Sequence, residues 1–292
     1  MPGTEAISGK TKILCVIGDP IEHTMSPAMH NAAIKALGLD LVYVAFHVKR
    51  EMLKQAFDGF RALGILGINI TIPHKVTAMQ WLDEVDPVAK AIGAINTVKN
   101  DGGKLVGHNT DADGAARALK AAGVVMKDSK VAVLGVGGAA RAVGFALARE
   151  GASVQFLYRS EDASMALELA RDIKIFFPSA PVDTVLMNGA SIEMACRESN
   201  ILVNATPIGM HPRSDETLVD RHFLQDKLCV FDVVYNPLET RLIKDAKAAG
   251  CKVVLGIDML VYQGAMAFEW WTGKEPPVDV MRRVAIERLS FK

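Results

Sequence analysis

Val131-Ala-Val-Leu-Gly135-Val-Gly137-Gly138-Ala-Ala140-Arg141 is the stretch that decides the fold. Its apolar start reads as a short strand, its glycines as a tight turn, and the residues from Gly138 to Glu150 as a helix. Gly135, Gly137 and Ala140 stand at the G-x-G-x-x-A spacing of a dinucleotide-binding turn. The first glycine permits the turn. The second lets backbone approach a pyrophosphate, and a small third residue lets helix and strand pack closely. The free N–H groups at the helix start then offer donors and partial positive charge to phosphate. A tight turn without a ligand is the bland alternative, and the strand on each side of this unit weighs against it.

Outward from that turn the pattern repeats. Val154–Arg159 reads as a second strand and 162–176 as a helix, with further strands near 183–187, 201–204 and 229–234. An acidic residue at the end of the second strand suits the ribose 2′-hydroxyl of NAD, whereas an arginine suits a 2′-phosphate. Arg159 stands there and favours NADP. Glu161 and Asp162 directly after it argue the other way, and a plain surface arginine explains the residue equally. Val131–Ala148 is apolar enough to resemble a membrane span, but Arg141 and its glycine cluster fit strand, turn and helix better.

The first half alternates in the same way. Ile13–Gly18 reads as a strand, and Ser26-Pro27 opens a helix that Gly38 closes, Ser26 serving as its N-cap. Val42–Val48 is a strand and Glu51–Leu63 a helix. Gly67–Thr71 runs into Pro73, which is expected to start a third helix with Lys75 in its first turn. Ile95–Lys99 and Lys104–His108 flank Asn100-Asp-Gly-Gly103, a hairpin signal. A helix from Asp111 to about Ala122 ends at Gly123, and the tail from Asp258 is helical. Such alternation implies an α/β protein with parallel sheets. The expected domains are residues 1–111, a cofactor-binding Rossmann domain at 112–257, and C-terminal helices 258–292 returning to the first domain, with a cleft between the two.

The chain has 292 residues, half of them hydrophobic, which suits two ordinary globular domains. Its 33 cationic and 33 anionic side chains are scattered, which leaves nucleic-acid binding without electrostatic support. Cys15, Cys196, Cys229 and Cys251 form no CxxC pair, and Cys15 and Cys229 sit inside apolar strand-like runs, so buried free thiols are the better reading. That usage fits a reducing compartment. The run Ile13–Ile17 is too short for a signal peptide. The expectation is a cytoplasmic protein, bound to no membrane and no nucleic acid, as monomer or homodimer.

Further stretches stand apart: Gly18-Asp-Pro-Ile-Glu-His-Thr24-Met-Ser26-Pro-Ala-Met-His-Asn31, Asn69-Ile-Thr71-Ile-Pro-His-Lys75, Gly107-His-Asn-Thr-Asp111-Ala-Asp-Gly114 and Gln263-Gly-Ala265. With the glycine turn, Asn204-Ala-Thr-Pro-Ile-Gly-Met210 and Asp232-Val-Val-Tyr235-Asn-Pro, they resemble the shikimate dehydrogenase family over roughly residues 13–273. The resemblance implies reversible reduction of 3-dehydroshikimate to shikimate with NADPH, NAD being a possible substitute, and a substrate domain beside a Rossmann domain. It puts the catalytic pair at Lys75 and Asp111. It puts Thr24 and Ser26 at the substrate carboxylate, and Thr71, Asn96, Asp111, Tyr235 and Gln263 around the ring. Cofactor contacts fall on Gly135, Val136, Gly137, Gly138, Ala139, Arg159, Ser160, Thr206, Val233 and Gly256. No metal is implied.

The chemistry of these positions can be weighed by itself. Ser26 would cap its helix with or without a substrate. Thr24 replaces the serine usual in the family, keeping the hydroxyl and adding a methyl. A lysine in the first turn of a helix is disfavoured by roughly 0.3–1 kcal/mol, which suits a catalytic amine better than a surface one. Taken alone, Lys75 reads as a solvated side chain and Asp111 as a cap. His23, His30, His74 and His108 lie within the motifs and read as structural or cleft-wall residues. Two rivals remain: an NAD-dependent quinate or quinate/shikimate dehydrogenase, and a non-catalytic NADP-binding module. A methylene-tetrahydrofolate dehydrogenase relative would not account for Thr24 and Ser26.

Overall fold

The computed structural model describes residues 7–290. Along the chain come β1 (Lys12–Gly18), α1 (Ser26–Ala36), β2 (Leu41–His47), α2 (Leu53–Ala62), β3 (Gly67–Ile70), β4 (Glu84–Val85), α3 (Pro87–Ile92), β5 (Thr97–Asp101), β6 (Lys104–His108) and α4 (Thr110–Ala121). They continue with β7 (Lys130–Leu134), α5 (Gly138–Arg149), β8 (Ser153–Tyr158), α6 (Ala163–Phe176), β9 (Val182–Leu186), α7 (Gly189–Glu198), β10 (Ile201–Asn204), β11 (Cys229–Asp232), α8 (Arg241–Ala248), β12 (Lys252–Leu255), α9 (Gly256–Thr272) and α10 (Val278–Ser290). Contacts divide the chain into unit 1, residues 1–110 with 263–292, and unit 2, residues 111–262. The divisions fall after the first residue of α4 and within α9, where uninterrupted helical sequence carries no boundary signal.

Unit 1 carries a six-stranded sheet in the order β2-β1-β3-β5-β6-β4. β1 pairs parallel with β2 and β3, but β5 pairs antiparallel with β3 and β6. The sheet is therefore mixed rather than parallel, because the hairpin turns the chain back. Gly102 and Gly103 both take positive φ, 60° and 99°, as a two-residue hairpin turn requires. One face buries Leu53, Phe57 and Phe60 of α2 against Ile68, Ile70, Val98 and Leu105. The C-terminal helices belong here as well: the Trp271 indole N–H donates to the Val98 carbonyl at 2.9 Å, and an added side chain at Gly67 would collide with that ring.

Unit 2 is parallel throughout, in the order β12-β11-β10-β7-β8-β9. Numbered within the unit, this is the doubly wound Rossmann order, whose topological switch falls between its first and fourth strands, β7 and β10. Strands buried on both faces, such as Ile201–Asn204 and Cys229–Asp232, read as continuous apolar runs for that reason.

Two local expectations are corrected. Ser26 does not cap α1: Met25 is already helical (φ −91°, ψ −10°), no side chain caps the helix, and Met25 accepts the Met29 N–H. The unsatisfied donor is shifted upstream, and the Ser26 N–H finds Thr24 Oγ1 at 3.3 Å. Nor does Pro73 open an α-helix. Residues 71–76 form turns before a short 3₁₀ helix at Thr77–Trp81. The Lys75 carbonyl, which a helix would give to a following amide, accepts the Ile95 N–H at 2.9 Å instead. Lys75 thus precedes any helix, and the dipole argument for its placement fails.

Candidate functional site

In unit 1 the sheet brings the singled-out residues to one edge. β1 and β3 are parallel, so Thr24 and Ser26, after β1, and Thr71 and Lys75, after β3, leave the sheet at the same end. β5 runs the other way, and Asn69 opposite Thr97 sets Asn96 at that end too. β6 returns with His108 opposite Thr97, delivering Thr110, the residue at which unit 1 passes into unit 2. In α/β sheets the carboxyl ends of parallel strands are where ligands bind.

Asn96 is the hub of this edge. It is buried at 3 % exposure. Its Oδ1 accepts from the Thr110 N–H at 2.7 Å and the Thr97 hydroxyl at 3.0 Å. Its Nδ2 donates to Gln263 Oε1 at 3.1 Å and Thr110 Oγ1 at 3.0 Å. Asp111 is the next residue after Thr110, and Ile95, which holds the Lys75 carbonyl, is the residue before Asn96. Lys75 and Thr71 are half-buried, while Asp111 and Gln263 are each 8 % exposed. His74 is structural, as its Nε2 donates to the Val48 carbonyl at 2.6 Å. His30 is fully buried, stacked on Tyr43, with neither ring nitrogen hydrogen-bonded, and burial pushes its pKa down to about 3.

In unit 2 the glycine turn sits at the switch point. Gly135 has φ +97°, and Thr206 Cγ2 lies 3.0 Å from where its Cβ would be, so β7 and β10 approach closely there. Gly137 differs: its φ of −73° suits any residue, and an added Cβ would meet nothing within 4 Å. Gly138 is open in the same way. Neither backbone conformation nor packing explains these two glycines, and the α5 N-terminus they open carries free N–H groups of the kind that bind phosphate. Val136 is buried and Ala139 half-buried beside them. Arg159 is exposed and bound to Asp162 at 2.8 Å and Glu161 at 3.2 Å; the Ser160 hydroxyl also donates to Glu161.

Gly256 abuts Val233, since a Cβ there would collide with the Val233 and Val234 carbonyls. Asp232 stands behind both. Fully buried, it accepts from Asn204 Nδ2 at 2.9 Å, the Val234 N–H at 3.0 Å and the Thr240 hydroxyl at 2.6 Å. Burial pushes its pKa up to about 6 against the pull of these donors. Asn204 Oδ1 in turn accepts from the Thr206 hydroxyl and amide, so one buried carboxylate orders the loops after β10 and β11. Tyr235 is half-buried, and desolvation raises its pKa. Asn204 and Asp232 received no role from the sequence, although a polar residue ending a run of buried apolar ones was the available signal.

Among the described residues no group of three or more His, Cys, Asp or Glu side chains could hold a metal ion, and no helix is long and apolar enough to cross a membrane. All four cysteines are buried free thiols.

A Rossmann unit with an open glycine turn, joined in one chain to an α/β unit with a polar cluster at its strand ends, defines a class: two-domain dinucleotide-binding α/β proteins. Residues 16–98 match the shikimate dehydrogenase substrate binding domain, and residues 256–286 the shikimate 5'-dehydrogenase C-terminal domain. A shikimate dehydrogenase (NADP⁺) of Methanosarcina barkeri is 47% identical over 282 residues, covering 96% of this chain and 99% of the relative. A crystal structure of a shikimate dehydrogenase in complex with NADP⁺ superimposes with a TM-score of 0.89 at 44% identity, over 97% of this chain and 98% of that one. A shikimate 5-dehydrogenase from Listeria monocytogenes, in complex with shikimate and NAD, gives 0.89 at 39% identity over 96% and 98%. The chain belongs to the shikimate dehydrogenase family.

Proposed function

We propose that this protein is an NADP-dependent shikimate dehydrogenase, reducing 3-dehydroshikimate to shikimate with NADPH and running in reverse with NADP⁺. The carrying observation is the Asn96 hub, which ties the Gln263 amide, the start of α4 before Asp111 and, through Ile95, the Lys75 backbone into one buried cluster. Family membership over nearly the full length supplies the substrate class. When bound, the dinucleotide supplies or accepts the hydride; the open turn at Gly135–Ala139, with Arg159, Ser160, Thr206, Val233 and Gly256, are the residues that would hold it.

The chain's own residues handle binding and the proton. Thr24 and Ser26 hold the substrate carboxylate with two hydroxyls. Thr71, Asn96, Gln263 and Tyr235 fix the ring hydroxyls. Lys75 donates a proton to the carbonyl oxygen as negative charge develops there, and takes it back in oxidation; Asp111 orients the ammonium and balances its charge. Such acid–base help contributes roughly 10²–10⁴-fold, and alignment of the reacting carbons supplies much of the rest. The protein acts in the cytoplasm as monomer or homodimer.

Initial rates with shikimate and quinate, each against NADP⁺ and NAD⁺, test this reading. Shikimate with NADP⁺ should give the highest kcat/KM of the four pairs. The Arg159 pairing with Asp162 and Glu161 favours the second reading, an enzyme that also accepts NAD; a rate ratio near one between the cofactors would establish it.

A further inference from the structure

Tyr43 lies in the middle of β2 at 1 % exposure, in a strand that is otherwise largely open to solvent. The Asn31 side chain clamps its backbone, donating to the Tyr43 carbonyl at 2.8 Å and accepting its N–H at 2.9 Å. The Tyr43 ring stacks flat on His30, centroids 4.2 Å and planes 2° apart. A side chain fixed from both ends in this way has one place for its hydroxyl.

That hydroxyl donates to Asn69 Oδ1 at 2.6 Å. Asn69 Nδ2 donates to the Asn96 carbonyl at 3.2 Å and to Thr97 Oγ1 at 3.1 Å. A backbone carbonyl only accepts, so the Asn69 amide has a single orientation and must present its oxygen to Tyr43. Tyr43 must then donate, which leaves its lone pairs to accept. At the far end Thr97 donates to Asn96 Oδ1, whose amide holds Gln263. A buried chain of bonds thus runs from Tyr43 on β2, through Asn69 on β3 and Thr97 on β5, to Asn96 and then Gln263 on α9.

We propose that Tyr43 is a positioning residue for the reaction, its one hydroxyl fixing Asn69 and, through Asn69 and Thr97, the Asn96 amide at the substrate ring. The inference rests on the role given to Asn96 above and adds a residue that none of the motifs contains. Its physical basis is preorganisation: a network of buried, mutually bonded polar groups holds its side chains in place before the ring arrives, and small misplacements cost rate.

Tyr43→Phe keeps the ring and deletes the hydroxyl. Its kcat/KM for shikimate should fall at least tenfold, while the KM for NADP⁺ stays within twofold of wild type. The double variant Tyr43→Phe/Asn69→Leu removes both partners and, with Asn69, the bonds to the Asn96 carbonyl and Thr97 Oγ1. It should recover neither the melting temperature nor the kcat/KM. Wild-type kcat/KM in Tyr43→Phe overturns the proposal, as does a double variant that regains rate together with stability. Should Tyr43→Phe not fold, the rate of the double variant decides alone. If wild type prefers quinate, the substrate assignment falls, and the same ratios taken on quinate still decide the role of Tyr43.

Discussion

At the scale of single residues, Lys75 is where sequence and structure part most instructively. Its family motif marked it as a residue of interest, but the local helix that Pro73 suggested is absent, because the Lys75 carbonyl is spent on Ile95 across the chain. That backbone bond survives replacement of the side chain. Lys75→Ala should therefore fold with an unchanged melting temperature and lose roughly 10²–10⁴-fold in kcat. Full turnover in that variant would show that another group moves the proton. Thr24 and Ser26 were legible as a hydroxyl pair; that Thr24 accepts the Ser26 N–H depends on the helical turn at Met25, which no propensity foretold.

At the scale of elements, the turn into α5 holds glycines of two kinds, and the sequence shows them as one motif. Gly135 is needed by the protein itself, for a positive φ and for the approach of Thr206. Gly137 is needed by neither, having an ordinary φ and open space around it. Gly135→Ala should cost about 1–2 kcal/mol of stability. Gly137→Ala should leave denaturant unfolding unchanged and weaken NADP⁺ binding at least tenfold by fluorescence titration; equal binding by the two proteins would deny the turn its phosphate. Elements with strong periodicity or glycine punctuation, such as α5, α6 and the β5–β6 hairpin, were readable. Short β4 and α3 were not, since two and six residues carry too little pattern.

For the whole molecule, two buried ionisable groups far apart in sequence oppose each other in pH. His30 is pushed down to about 3 from 6.5, so between those values the unfolded chain binds the extra proton and stability rises with pH. Asp232 is pushed up to about 6 from 3.8, so in that window the folded chain binds the extra proton and stability falls with pH. Between about pH 4 and 6 the slopes, each at most about 1.4 kcal/mol per pH unit, offset one another. Urea unfolding from pH 4 to 7 separates them. Relative to wild type, His30→Phe should lose stability as pH rises through this window, and Asp232→Asn should gain it. Parallel profiles for all three proteins would mean that neither group titrates as its burial demands.

What the sequence determined by itself is local: the glycine turn, the strand and helix periods, the hairpin, and motifs dense enough to assign the family. These follow from steric limits and burial patterns acting over a few residues. Which side chains meet was decided only by the tertiary structure. Asn96 reaches Gln263 across 167 positions and Tyr43 reaches Asn69 across 26. The reason is that a buried polar atom must find a partner wherever the sheet delivers one. Strand order and register decide that delivery, and both emerge only when the chain has folded.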